Sequence, residues 1–388
     1  MLEQGNVIRV TNDIDLGGKE LVLPENSTLV FKGGIIRNGS VVGSGTDIVK
    51  GKDRVLFDNV EIKGSWNVRE IFSSWFNDID SINSLKNVLA LTSPITHNVV
   101  YLEDDIYLVR VGRNAESVLK ISSNTDVIID CTIMLQPNGF SHYSIIEIKG
   151  NNIRIWGKGE IVGDCHEHMG KEGEWGMGVK ISNSSNVHIN GISIRDCWGD
   201  CIYINENSKD LNIENCSLSG SRRQGISITD GSDIHIKDLK ITNIKGTSPE
   251  YAIDIEPNKN WSVDNVRIEG LSTINCRGGL LVYGGAAGAH VGKVSIKNSR
   301  ILNSRKLPVR ILQCSDISII GCHIEVFPEK AITCIDTDSV KVRRNLFSML
   351  ERSNRNLIQR LKLILTQSDY IEISNSEIKI VSDNTIIN

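Results

Sequence analysis

Seven short segments between residues 178 and 335 share one pattern, a small or turn-compatible residue followed by alternating apolar and variable positions. They are GVKIS (178–182), CIYIN (201–205), GISIT (225–229), AIDIE (252–256), GLLVY (279–283), PVRIL (308–312) and AITCI (331–335). Counted from first residue to first residue, they recur after 23, 24, 27, 27, 29 and 23 positions. A period of this length with strand alternation predicts a solenoid, because one coil cannot bury its apolar side until the next coil stacks on it.

A second set of segments lies between these strands, and each member reads as two short strands that meet at a polar or glycine corner. They are NVHINGISI (186–194), DLNIENCSL (210–218), DIHIKDLKI (233–241), KVSIKNSRI (293–301), DISIIGCHI (316–324) and YIEISNSEI (370–378). The corners include Asn215, Asp238, Asn298 and Gly321, and asparagines at successive corners can form hydrogen-bonded ladders. Three short parallel strands per coil predict an all-β protein folded as a right-handed parallel β-helix.

The whole chain, 1–388, is interpreted as one β-helix domain. Its predicted parts are irregular N-terminal coils (1–77), a helical segment (78–95), regular coils (96–347) and a C-terminal segment (348–388) in which 348–366 is a helical insertion or a long loop.

One stretch, DSINSLKNVLALTS (80–93), departs from strand alternation and predicts a short helix. Asp80 or Ser81 can cap its first turn. One face carries Ile82, Leu85, Val88 and Leu89. We expect this helix to cover an end or a flank of the solenoid.

Composition supports short strands and excludes two classes of partner. Aromatic residues make up only 5% and prolines number 7, while 34 glycines favour tight turns. The 43 basic and 47 acidic side chains give a net charge of −4 with no basic run, so nucleic acid is not an expected partner. No stretch approaches the roughly 20 apolar residues of a membrane span, and the opening MLEQGNVIRV lacks the layout of a signal peptide.

The nine cysteines form no CxxC metal pattern. Several lie in strand-like contexts where a thiol packs as a small apolar side chain: Cys216, Cys276, Cys314, Cys322 and Cys334. Cys197 and Cys201 are close enough in sequence to form a disulfide, although buried free thiols are the main expectation. No metal ion or other cofactor is predicted from these residues.

Aligning the seven strands in register predicts a wall of outward side chains. Successive side chains of a strand alternate faces, and neighbouring coils lie about 4.8 Å apart. By coil, the wall contains Lys180 and Ser182, Tyr203 and Asn205, Ser227 and Thr229, Asp254 and Glu256, Leu281 and Tyr283, and Arg310. Turns leading into the strands add Asp200, Arg222, Arg223 and Gln224 at the edge. Such a groove suits an extended polymer.

The glycine-rich loop GDCHEHMGKEGEWG (163–176) precedes the first strand of this wall and carries more charge than a turn needs. We expect Asp164, His168, Glu174 and Trp175 to line the groove, with Trp175 stacking on a sugar ring. A purely solvated loop is the alternative.

Several of these segments resemble the pectin-lyase-like superfamily of right-handed parallel β-helices, which includes polygalacturonases and phage tailspike depolymerases. WGDCIYI (198–204) resembles the polygalacturonase motif GDDCIAI, and RQGISI (223–228) resembles its GHGISI. The repeat extends the resemblance over most of the chain, while the motifs cover roughly 150–260. The resemblance implies an enzyme that acts on polysaccharide.

The polygalacturonase residues are only partly present. Asp200 matches the second aspartate of that family's pair, but Gly199 occupies the first, Gln224 replaces the histidine and Met177 stands where an upstream aspartate is expected. The family's basic RIK aligns with Asp254-Ile255-Glu256, so the sign of the charge is reversed.

The leading hypothesis is a glycoside hydrolase. Side chains at i and i+2 on one strand face are about 7 Å apart, near the ~6.5–9.5 Å separation of the carboxyl pair of an inverting glycosidase. Asp254 and Glu256 are therefore predicted to share the acid and base roles, with Asp200 assisting. The residues predicted to contact substrate are Arg222, Arg223, Gln224, Tyr203, Tyr283, Arg310, Asp164, His168, Glu174 and Trp175.

Two other functions stay open. A polysaccharide lyase would use Arg222 or Arg223 as base and a cation such as Ca²⁺ held by Asp200, Asp254 and Glu256. A tailspike-like or cell-surface module would only bind carbohydrate. Each of these functions predicts a protein that is secreted, periplasmic or on the cell surface, and a monomer and a homotrimer are both compatible with them.

Overall fold

The computed structural model describes residues 6–49, 55–103, 105–326, 330–349, 370–376 and 378–387. Within them the chain winds into a parallel β-helix, because successive coils contribute strands to the same three long sheets. Strands within each sheet pair in parallel, and in the three long sheets the neighbours are strands that are not consecutive in the chain. The predicted all-β class is confirmed.

The three long sheets and a fourth sheet at the N-terminal end contain the strands as follows. Sheet A comprises Glu116–Ile121, His142–Ile148, Trp175–Ser182, Ile202–Asn205, Ile226–Ile228, Tyr251–Ile255, Gly278–Tyr283, Val309–Leu312, Ile332–Ile335 and Ile371–Ser374. Sheet B comprises Glu70–Phe72, Asn98–Leu102, Thr125–Ile129, Asn151–Trp156, Ser185–Asn190, Ser208–Glu214, Gly231–Lys237, Ser262–Glu269, His290–Val291, Lys293–Lys297, Asp316–Ile320, Ser339–Arg343 and Ile378–Ser382. Sheet C comprises Ile106–Val109, Thr132–Leu135, Glu160–Val162, Ser193–Arg195, Ser217–Ser219, Lys240–Thr242, Ser272–Ile274, Arg300–Leu302, His323–Val326, Leu346–Met349 and Thr385–Ile387. The N-terminal sheet comprises Val7–Val10, Ile14–Asp15, Glu20–Val22, Thr28–Phe31, Ile36–Val49, Phe57–Trp66 and Phe76–Asn77.

The core is a stack of aliphatic side chains contributed by alternate positions of strands in successive coils. Ile226 and Ile228 in one coil pair with Ile253 and Ile255 in the next, and all four are fully buried. Because side chains alternate faces along a strand, the residues between them must lie on the outer surface. The core pattern therefore fixes which residues can reach a ligand.

Corners between strands depend on asparagine and aspartate in the left-handed backbone region. Asn215, Asp238 and Asn298 have φ values of 54°, 51° and 49°, a conformation these two residue types tolerate better than most. The predicted ladders also form, since Asn215 Nδ2 donates to Asn190 Oδ1 at 3.2 Å. These asparagines therefore shape and join the coils.

One α-helix, α1 (Ser81–Ala90), lies in the described part of the chain, as the sequence predicts. Asp80 is its N-cap and accepts a hydrogen bond from the Ile82 backbone N–H at 3.3 Å. Leu85 and Leu89 lie against apolar residues of the first coils, such as Leu119 and Ile146. The helix thus covers the N-terminal end of the three-sheet core.

The helix or loop predicted for 348–366 falls almost entirely outside the described residues. In the described ranges no helix is long and apolar enough to cross a membrane.

Candidate functional site

The predicted column of outward residues exists on sheet A. The Cα partners in successive strands are Glu147, Lys180, Tyr203, Ser227, Asp254, Leu281 and Arg310. Side chains near its middle are buried, since Ser227 and Asp254 are only 1% and 2% exposed. The candidate site is therefore a covered patch within a more open face.

Arg223 is the centre of this patch. Its Nη1 donates to Asp200 Oδ2 at 3.0 Å and Oδ1 at 3.3 Å, and to Ser227 Oγ at 3.4 Å. Its Nε lies 3.4 Å from Glu174 Oε2. The arginine reaches these groups because its backbone N–H bonds to the Gly199 carbonyl, which places it in the coil directly after Asp200.

Asp254 lies on the other side of the arginine, in the next coil. Its Oδ2 accepts a hydrogen bond from Gln224 Nε2 at 2.8 Å, and Gln224 Oε1 accepts one from the Tyr251 backbone N–H at 2.8 Å. Its Oδ1 is buried without a hydrogen-bond partner among the described residues. Such an atom is costly to bury, and it marks a position where a ligand group could be accommodated.

Glu256 directly follows the last residue of the Asp254 strand, Ile255, and is half-buried. We call Asp200, Asp254, Glu256 and Glu174, together with Arg223, the acid cluster. It contains four carboxylates and one cation.

Burial and this imbalance change how the acid cluster titrates. Burial, opposed by Arg223, raises the pKa of Asp200 to about 6. Burial and the nearby charge of Glu256 raise the pKa of Asp254 well above its usual range, and burial also raises the pKa of Glu256. One arginine cannot stabilise all the ionised carboxylates, so the carboxyl groups of the acid cluster keep their protons to a higher pH than free side chains do. Two carboxyl groups in different protonation states are the requirement for general acid–base chemistry.

In three places the residues predicted to contact substrate are engaged by other parts of the protein. The first concerns Gln224, which is fully buried with both ends of its amide bonded within the protein. It cannot orient a sugar hydroxyl, and it instead positions Asp254.

The second concerns Arg222, whose guanidinium carbon lies 3.5 Å from the ring centroid of Trp198. Its Nε donates to the Trp198 carbonyl at 2.9 Å and its Nη2 to the Gly173 carbonyl. Arg222 therefore holds the 163–176 loop against the coil, while its neighbour Arg223 enters the acid cluster.

The third concerns Asp164 and His168, whose side chains are completely buried. Asp164 accepts hydrogen bonds from Tyr143 Oη at 2.6 Å and from the Asn138 amide, and His168 Nδ1 lies 2.8 Å away. The His168 ring also stacks on Trp198 at 3.9 Å. This network folds the loop and does not line the groove.

The other predicted contact residues remain near the outer face. Trp175 is 44% exposed, and its ring centroid lies 6.0 Å from that of His142. Tyr203 is half-buried, and its hydroxyl lies 3.2 Å from Thr229 Oγ1. Tyr283 is half-buried and Arg310 is exposed. These positions fit the predicted wall but do not test its role.

Two participants were missing from the predicted site, Ser227 as a ligand of Arg223 and Trp198 as the surface under Arg222. Ser227 already appears in the outward column, so its register was the available signal. Nothing in the sequence singles out Trp198, because its role depends on how the loop folds back.

The cysteines are free thiols in the described part of the chain, so a Cys197–Cys201 disulfide is not formed. Cys216, Cys276, Cys314, Cys322 and Cys334 are all buried, as predicted. In the same ranges no group of three or more His, Cys, Asp and Glu side chains is arranged to hold a metal ion.

A family model described as "right handed beta helix region" matches residues 106–252 and 251–388, which is more than half of the chain. The chain belongs to the right-handed β-helix family. The expected hand of the helix is thereby confirmed for this right-handed β-helix protein.

Two curated relatives come from Bacillus subtilis strain 168. The chain is 28% identical to the SPbeta prophage-derived uncharacterized protein YorA over 299 residues, 69% of this chain and 49% of that protein. It is 31% identical to the uncharacterized protein YclG over 174 residues, 39% of this chain and 29% of that one. This β-helix protein therefore spans at most about half the length of the curated relatives it matches.

Among solved structures, an exopolygalacturonase from Thermotoga maritima aligns with 73% of this chain and 90% of its own. The identity is 14% and the TM-score 0.35. Values this low transfer no residue roles to this β-helix protein.

Proposed function

We propose that the protein is a glycoside hydrolase that cleaves an extended polysaccharide lying along the outer face of sheet A. The observation that carries this proposal is the acid cluster, in which four carboxylates surround one arginine and burial raises three of the carboxyl pKa values. Structural ion pairs normally match charges, whereas an excess of buried acid is the arrangement that proton transfer requires.

Asp254 is the proposed general acid. It is the carboxyl group whose pKa is raised by both burial and Glu256, so it keeps its proton to a higher pH than a free aspartic acid does. Gln224 fixes one oxygen, which leaves Oδ1 as the atom able to give that proton to a leaving-group oxygen. Glu256, which is more exposed, is the proposed base that activates water. Asp200 orients Arg223 and assists through it.

The decisive experiment replaces Asp254 by Asn and Glu256 by Gln in separate variants. Each variant and the wild type are incubated with plant, host and capsular glycans, and products are measured by mass spectrometry. Hydrolysis adds one water to the products, and each substitution should lower the rate about a hundredfold or more while the fold is preserved. Unchanged turnover in both variants would eliminate the assignment.

β-Elimination is less well supported by the geometry. Arg223 is paired with carboxylates that raise its pKa against the effect of burial, so it is a poor base. The Nε–H and Nη2–H groups of Arg222 are already bonded to carbonyls. A Ca²⁺ ion does not fit well either, because the Arg223 guanidinium already lies among the carboxylates that would hold it. Unsaturated products that absorb ultraviolet light would reverse this preference.

Carbohydrate binding without cleavage is the second candidate. It is favoured by one observation, that Asp200 and Asp254 are 0% and 2% exposed and so present little surface to a polymer. Oligosaccharide that stays bound and intact after long incubation would establish it. Either function places the protein outside the cytoplasm, where polysaccharides of this kind occur, and this location is part of the proposal.

A further inference from the structure

A second charged feature lies at the N-terminal end of sheet A, between α1 and the first strands. It is a cleft of about 510 Å³. We call it the basic cleft, and its charged lining residues are Lys86, Arg113, Lys120, Lys180, Glu116 and Glu147. Four cations face two carboxylates there, which is the opposite balance from the acid cluster.

Both carboxylates of the basic cleft are already engaged. Glu147 lies 3.5 Å from Lys180 Nζ, and Glu116 lies 4.0 Å from Lys86 Nζ. Glu116 also accepts a hydrogen bond from the Arg113 backbone N–H at 3.2 Å. Its charge is therefore divided between helix α1 and the loop that precedes its own strand.

The remaining cations, Arg113 and Lys120, are exposed. No ion pair joins either side chain to a carboxylate in the ranges that the structure describes. Two cations without protein partners, lining one concave surface, form a site for a negatively charged group.

The basic cleft and the acid cluster share one outer face. Lys120 pairs with Glu147, Glu147 with Lys180, and Lys180 leads through Tyr203 and Ser227 to Asp254. At about 4.8 Å per coil, Lys180 and Lys120 are roughly 14 Å and 24 Å from Asp254 along the helix axis. The two features can therefore be reached by one extended polymer.

Side chains between them make the surface continuous. Burial lowers the pKa of the His142 imidazole, and the nearby charge of Lys180 lowers it further. His142 packs against the exposed ring of Trp175, and the neighbouring Glu174 reaches Arg223. A planar aromatic surface at this point suits a sugar ring.

We infer that the basic cleft binds an anionic substituent, a carboxylate, sulfate or phosphate, on the same glycan whose reacting bond lies at the acid cluster. The inference rests on the proposed function for its choice of a glycan. Excess negative charge at the acid cluster repels an anionic sugar there, while Arg113 and Lys120 attract one about five coils away. The substrate class is thus a glycan with an uncharged sugar at the cleaved bond and an acidic group toward the N-terminal end of the groove.

The experiment measures binding by affinity electrophoresis in gels that contain unmodified dextran, dextran sulfate, dextran phosphate or polygalacturonate. The proteins are the wild type, Arg113→Gln, Lys120→Gln, the double variant, and Lys240→Gln as a matched control. Lys240 is exposed on sheet C, so its loss changes the net charge equally without touching the basic cleft. Thermal unfolding confirms that each variant is folded.

The wild type should bind at least one of the charged polymers about tenfold more tightly than dextran. Each single substitution in the basic cleft should weaken that binding about three- to fivefold, with the loss growing at low salt, while Lys240→Gln changes it less than twofold. Equal affinity for charged and uncharged polymers, or equal loss in Lys240→Gln, would overturn the inference. The polymer that responds identifies the acidic group.

Repeating the titrations in the Asp254→Asn variant separates this inference from the proposed function. Retained binding with the same dependence on Arg113 and Lys120 supports the basic cleft whether or not any glycan is cleaved. Cleavage of a neutral glycan without this binding leaves the hydrolase intact and rejects the cleft.

Discussion

Two aspartates on the outer surface, Asp126 on sheet B and Asp254 on sheet A, are each 2% exposed and yet have opposite surroundings. Asp126 accepts hydrogen bonds from Arg154 Nε at 3.0 Å and Nη2 at 2.6 Å, and His97 Nε2 lies 3.0 Å away. One carboxylate oxygen of Asp254 accepts a hydrogen bond from the Gln224 amide, and the other has no hydrogen-bond partner in the described structure. Burial of a carboxylate is therefore not itself a sign of function.

The difference is in charge matching. Asp126 has an arginine of its own, placed opposite it in the next coil by strand register. Asp254 shares Arg223 with three other carboxylates. A matched pair holds two coils together, whereas burial and the nearby Glu256 raise the pKa of the unmatched Asp254. The same solenoid thus contains a charge-matched site and an unmatched one built from the same side chains.

Removing the arginine from each site should give the largest contrast. Arg223→Gln leaves buried carboxylates without a cation, which should lower the free energy of unfolding by about 3–5 kcal/mol at pH 7. Arg154 is more than half exposed, so Arg154→Gln should lower it by only about 1 kcal/mol. Urea unfolding of both variants measures the difference. Equal losses would show that the acid cluster is an ordinary ion-pair network.

The next contrast, about 3 kcal/mol in size, is in how the free energy of unfolding depends on pH. The pKa of Asp200 is raised to about 6 in the folded protein from its usual 3.8, so the folded state binds its proton more tightly. Stability from this group is therefore fully present below about pH 4 and is lost as the pH rises through about 6, a change of about 3 kcal/mol. The raised pKa values of Asp254 and Glu256 act in the same direction.

The measurement compares wild type with Asp200→Asn by urea unfolding from pH 4 to pH 8. The variant lacks this titration, so its stability should gain on that of the wild type by about 3 kcal/mol across this range. Asp126→Asn serves as the matched control, because it replaces another buried aspartate by asparagine. A constant difference between wild type and Asp200→Asn would mean that Asp200 is ionised throughout.

Much of this organisation could be predicted from the sequence, because two periodicities determine it. Strand alternation fixes which residues leave the core, and parallel stacking fixes their neighbours, so the column through Tyr203, Ser227 and Asp254 followed from the pattern. The same rule could have found Lys120, Glu147 and Lys180, whose strands are the earlier members of sheet A.

Other features could not be predicted because they depend on segments without periodicity. Asp164 and His168 read as groove residues until the loop is seen folded back on Trp198. Gln224 lies at a corner just before its strand, where alternation gives no direction, and only the structure shows its amide bridging Tyr251 and Asp254. The direction of a side chain could be predicted for residues within strands but not for residues within turns and loops.

Neutralising Asp254 or Asp126 should give the smallest changes in the free energy of unfolding, and the two changes should have opposite signs. Asp254→Asn removes an unfavourable buried charge next to Glu256 and should raise the free energy of unfolding by about 1 kcal/mol at pH 8, since reactive sites are commonly built at the expense of stability. Asp126→Asn loses its two bonds to Arg154 and should lower it by about 1 kcal/mol. Urea unfolding at pH 8 resolves changes of this size. If both variants are destabilised equally, the unmatched carboxylate is no more strained than the matched one, and the contrast between the two sites reduces to the number of hydrogen bonds.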